Sequence, residues 1–84
     1  MKVISSQKFE KDLNKFPKIT IDRIITKIKD LETGKENLDI RKLKSGSDYR
    51  LRVGDYRIIF EYDKLENETV ILLHTVIHRK DAYK

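Results

Sequence analysis

The sequence predicts an α+β fold in which two helices cover one face of an antiparallel sheet, in the order β-α-α-β-β-β. Three observations carry this expectation. Apolar residues recur at helical spacing up to Thr33, the pattern switches to alternation from Tyr49, and the segment from Thr69 to Ile77 is apolar on both sides. At 84 residues the chain has room for one domain, 1–84, with a modest core.

Val3 and Ile4 suggest a short first strand. Ser5 or Ser6 can then cap a helix by accepting a hydrogen bond from an early backbone N–H, and Phe9, Leu13 and Phe16 follow at helical spacing before Pro17. Ile21, Ile24, Ile25, Ile28 and Leu31 form the apolar stripe of a second helix from about Lys18 to Thr33, and Gly34 is a suitable stop. From Tyr49 the side chains alternate: Tyr49, Leu51 and Val53 point one way, Arg50 and Arg52 the other. Gly54-Asp55 is a two-residue hairpin signal, and the return strand, Tyr56 to Tyr62, carries Ile58, Phe60 and Tyr62 on one face and Arg57, Ile59 and Glu61 on the other. The polar stretch Asp63 to Glu68 turns the chain into a last strand with Val70, Leu72 and Val76 on one face and Ile71, Leu73 and Ile77 on the other. Helices packed on the apolar face leave Arg50, Arg52 and Arg57 on the opposite, basic face.

Composition narrows the function. Nineteen basic residues against fourteen acidic give a net charge of +5, which favours a polyanion or an acidic protein partner. There is no cysteine, hence no disulfide or thiolate metal site. No signal-like or membrane-spanning apolar run is present, so a soluble, cytoplasmic protein without a membrane partner is expected. No Gly-rich phosphate loop, Ser-His-Asp set or paired-carboxylate signature occurs. His74 and His78 share one strand face but stand about 13 Å apart along an extended chain, too far for one ion. Neither a metal nor a cofactor is expected.

The densest basic stretch runs from Arg41 to Arg57, with Lys42, Lys44, Arg50 and Arg52 between. Planar guanidinium groups on one sheet face suit phosphate oxygens, although a solvated charged face with an Arg57–Glu61 pair would show the same pattern. The C-terminal run His78-Arg79-Lys80-Asp81-Ala82-Tyr83-Lys84 adds an imidazole, a guanidinium and a phenol, the group types that phosphodiester cleavage through a 2′-hydroxyl requires; a frayed basic tail would have the same composition.

Leu43-Lys44-Ser45-Gly46, the run Tyr49 to Tyr62 (YRLRVGDYRIIFEY) and His78-Arg79-Lys80-Asp81-Ala82-Tyr83 together resemble the RelE/ParE toxins of type II toxin–antitoxin systems. The resemblance spans the chain in length and element order. It implies a metal-independent, ribosome-dependent endoribonuclease that cuts mRNA in the A site and inhibits translation. It also implies a cognate antitoxin whose acidic segment covers the basic face. By position, Arg57 matches a catalytic arginine of the return strand, Arg79 the C-terminal catalytic arginine and Tyr83 the general base; Lys44, Arg50 and Arg52 would contact RNA. Some relatives place the arginine farther before the tyrosine, others use a histidine or glutamate as base. His78 is therefore an alternative acid or base, and no glutamate occupies the loop around Asp39-Ile40-Arg41. A tyrosine base must have its pKa lowered from about 10, for which neighbouring arginines are a sufficient cause. The same fold also implies two alternatives, a ParE-type DNA gyrase inhibitor or an inactive basic interaction module.

Overall fold

The computed structural model describes residues 1–44 and 46–81. Its elements are β1 (Lys2–Ser5), α1 (Gln7–Leu13), α2 (Lys18–Glu32), β2 (Ile40–Lys42), β3 (Asp48–Val53), β4 (Tyr56–Leu65), β5 (Glu68–His78) and a short 3-10 turn, η1 (Arg79–Asp81). The strands form one five-stranded sheet in the order β1-β5-β4-β3-β2.

The α+β architecture with two helices is as expected, and the sheet differs in two ways. It is mixed, because β1 pairs with β5 in parallel, Val3 opposite Ile71 and Ile4 opposite Leu72. Only a crossover connection allows a parallel pair, and α1 and α2 with the rest of the chain supply it. The second difference is β2, which pairs antiparallel with β3 and sets Ile40 opposite Leu51 and Arg41 opposite Arg50.

Ser6, not Ser5, caps α1: its hydroxyl accepts the Phe9 N–H at 3.0 Å. The same hydroxyl donates to the His74 carbonyl at 2.9 Å, and the Ser6 N–H donates to Leu73 O at 3.0 Å. One side chain thus ties the start of α1 to the middle of β5. Ser6→Ala is expected to lower stability by about 1 kcal/mol, within roughly 0.5–2, measured as a fall in the urea midpoint at unchanged slope. Beyond the cap, Asp12 accepts from Lys8 at 2.8 Å and from Thr75 at 2.5 Å. The Lys8 hydrogen bond, followed by that of Thr75, holds the Asp12 carboxyl below its ordinary value. Helix α1 ends at Leu13, and Pro17 begins α2 instead of closing α1, as its fixed φ of −60° and missing N–H suit a helix start.

Ile24 and Leu31 of the α2 stripe are buried, as is Phe9 of α1, and with Leu51, Val53, Ile58, Phe60, Ile71, Leu73 and Val76 they make the core. Ile25 stays exposed. The hairpin from β3 to β4 turns at Gly54-Asp55 with Gly54 at φ +58°, as a type II′ turn requires at its first central residue. The next hairpin is tighter than the polar stretch suggested. Only Glu66 and Asn67 form its turn, both at positive φ as in type I′, and Asp63 to Leu65 remain in β4.

Pairing between β4 and β5 shifts between Ile59 and Phe60: Phe60 opposes Leu73, whereas Ile59 opposes Thr75, and His74 is the extra residue of a β-bulge. The bulge reverses side-chain parity, so Ile71 and Leu73 and then Val76 enter the core, and Val76 rather than Ile77 joins them. Among the described residues, no helix is long and apolar enough to cross a membrane.

Candidate functional site

On the sheet face opposite the core, register places arginine against arginine. Arg41 of β2 is the Cα partner of Arg50 of β3, and Arg52 is the partner of Arg57 of β4. Side chains directly opposite on neighbouring strands have Cβ atoms about 4.5–5.5 Å apart, and like charges there are destabilising. Arg57 is nevertheless buried, at 7% exposure, and its Nη1 donates to the carbonyls of Gly54 at 3.0 Å and Tyr56 at 3.1 Å. Arg52 Nε also reaches Gly54 O, at 3.4 Å. Arg50 is held loosely, with Nη2 3.9 Å from Asp39 Oδ1 and a buried Nε that has no hydrogen-bond partner among the described residues. An unmet buried donor costs about 1–3 kcal/mol. Arg50 Nε is therefore a buried cationic donor without an acceptor among the described residues, which is what an anionic ligand corrects.

Strand β5 brings the start of the C-terminal run to the same hairpin tip. The Arg79 N–H donates to Asp55 O at 2.6 Å, and Arg79 Nε lies 3.9 Å from Asp55 Oδ1 with the side chain largely exposed. Arg52, Arg57 and Arg79 are thus gathered around Gly54-Asp55. His78 is not on this face. It is the register partner of Tyr56, its ring stands edge-on to the Tyr56 ring with centroids 5.1 Å apart, and Tyr56 packs on the core and on Phe16. Lys44 is exposed ahead of β3. Tyr83 and Ser45 lie outside the described residues. Of the described phenols, Tyr62 is held above its ordinary pKa first by burial and then by Tyr49, so it is a protonated phenol at neutral pH and unsuited to act as a base.

Two features are not readable along the chain. Arg41 joins the arginine row through the short strand β2. The bulge also separates His74 from His78: His74 Nε2 turns to Glu61 Oε1 at 3.3 Å and Asp48 Oδ1 at 3.7 Å, on the arginine side of the sheet, so the two histidines stand on opposite faces.

The fold is that of a small toxin scaffold. Residues 3–83 match the family model described as the ParE toxin of the type II toxin–antitoxin system parDE, and the chain belongs to that RelE/ParE toxin family. Toxin RelE3 of Methanocaldococcus jannaschii is 36% identical over 88 residues, covering 99% of this chain and 96% of that protein. Among solved structures, the RelB-RelE antitoxin-toxin complex from Methanococcus jannaschii superposes with a TM-score of 0.74 at 32% identity, over 95% of this chain and 94% of the other. The archaeal RelE-RelB complex from Pyrococcus horikoshii OT3 gives 0.75 at 28% identity, over 96% and 97%.

Proposed function

We propose that this toxin is an endoribonuclease that cuts mRNA in the ribosomal A site, and that a cognate antitoxin neutralises it by laying an acidic segment over the arginine face. The observation that carries the reading is the pair of arginine–arginine registers, Arg41 with Arg50 and Arg52 with Arg57. Such pairs weaken an isolated sheet and become favourable once a phosphate chain lies across them. In the reaction, Tyr83 takes the proton of the 2′-hydroxyl and O2′ attacks the adjacent phosphorus. The P–O5′ bond breaks, and O5′ takes a proton from solvent water as it leaves. The products are a 2′,3′-cyclic phosphate and a 5′-hydroxyl. Arg57 and Arg79 stabilise the charge that builds on the phosphate oxygens, while Lys44, Arg50 and Arg52 hold the strand. His78, against Tyr56, is left to packing.

The relatives named RelE favour this reading, and the ParE label of the family model favours the gyrase alternative. Expression should arrest translation, and primer extension should reveal cuts within translated codons that fall by at least about 10²–10³-fold in the Arg57→Ala, Tyr83→Ala double variant. Cutting at the parental level by that variant sinks the assigned site. Gyrase-dependent DNA breaks with intact mRNA would establish the alternative.

A further inference from the structure

We infer that Asp48, Glu61 and His74 form a binding site for a divalent cation of the zinc class, bridging β3, β4 and β5 on the arginine side of the sheet. Their donor atoms all lie within 4.8 Å of one another, one from each of three adjacent strands. Asp48 and Glu61 are register partners, and the bulge at His74 brings the imidazole over them. With metal–ligand bonds of about 2.0–2.1 Å, a tetrahedral ion sets its ligands roughly 3.3–3.4 Å apart. His74 Nε2 to Glu61 Oε1 is already 3.3 Å, and His74 Nε2 to Asp48 Oδ1, at 3.7 Å, needs to close by a few tenths of an ångström.

The donor set fits the class. One imidazole and two carboxylates suit zinc and its neighbours, where an all-oxygen cage would suit calcium or magnesium. Three protein donors on a half-exposed surface leave the fourth position to water. Glu61 is already oriented, because Ser47 Oγ donates to its other oxygen, Oε2, at 2.9 Å. Bulges are known devices for re-aiming a side chain, and this one is fixed from behind by the Ser6 hydroxyl on the His74 carbonyl. The competing role for the cluster is an ion pair of protonated His74 with the two carboxylates, which would need no metal. Along its own strand His74 has only His78, too distant to share an ion; the donors that surround it come from neighbouring strands.

The site is separate from the proposed cleavage chemistry, so its test does not depend on it. Titration calorimetry of the metal-free full chain with zinc chloride near neutral pH should show one equivalent bound. His74→Gln and Glu61→Gln should each weaken binding by at least about 100-fold, the upper end of what losing an outer-sphere partner costs. Ser47→Ala should weaken it by about tenfold, and His78→Gln should leave it unchanged. Zinc should also raise the urea midpoint of the parent but not of His74→Gln, because an ion that binds only the native state stabilises it. If the parent binds no zinc below millimolar concentration, or if His74→Gln and Glu61→Gln bind like the parent, the cluster is an ion pair and the inference is overturned. Ser47→Ala, which keeps all three donors, decides the matter should either glutamine variant fail to fold.

Discussion

Replacing Arg52 by alanine is expected to move activity and stability in opposite directions: cleavage of translated mRNA falls by about 10²–10³-fold, while the fold is unchanged or more stable by a few tenths to about 1 kcal/mol. Arg52 is exposed, directly opposes Arg57, and among the described residues makes only a long contact to the Gly54 carbonyl at 3.4 Å. Removing it deletes a like-charge pair without opening the core. Arg57 is a poorer probe on its own, because it is buried and its guanidinium supports two hairpin carbonyls, so its loss confounds structure with chemistry. The measurement is primer extension on purified translating ribosomes beside a urea melt of the same protein. An Arg52→Ala protein that cuts normally would remove the arginine row from the site. One that loses activity and stability together would make the row a structural feature.

The parts of this fold that can be read along the chain are those whose pattern is local. The α2 stripe, the alternation of Tyr49 to Val53 and the Gly54-Asp55 turn each satisfy their periodicity within a few residues, so Arg50, Arg52 and Arg57 could be assigned to one face from the sequence alone. Strand β2 could not, because Ile40-Arg41-Lys42 is too short to show a period and acquires its parity only by pairing with Leu51 and Arg50. The parallel pairing of β1 and the bulge at His74 are decided between strands. Strand β5 is apolar on both sides, so its own residues do not fix which of Val76 and Ile77 turns inward; the register against Ile58 and Ile59 does. The same holds for the site. Asp48, Glu61 and His74 are far apart in sequence and meet only because three strands align, and Arg57 is buried with its guanidinium turned back onto the Gly54 and Tyr56 carbonyls, which strand alternation alone does not indicate.

That alignment depends on Phe60, and Phe60→Ala should be the most damaging single change in the molecule. Its side chain is fully buried at the point where β4 crosses from normal pairing into the bulge, opposite Leu73 and Tyr49. Its ring lies near-parallel to that of Tyr49 with centroids 5.7 Å apart and edge-on to Tyr62 at 5.4 Å. Removing a buried phenylalanine costs about 3–5 kcal/mol through lost transfer energy and the cavity left behind. A chain of this size has a total stability of roughly 4–13 kcal/mol to lose, taking 0.05–0.15 per residue, so the variant is expected to sit at or near the unfolding threshold. In a thermal melt the shift is roughly 12–40 °C at 4–8 °C per kcal/mol. Ile25→Ala, at an exposed position of the α2 stripe, is the matched control and should move the melt far less. Equal shifts for the two would mean that the sheet side of the core is not what holds the chain together.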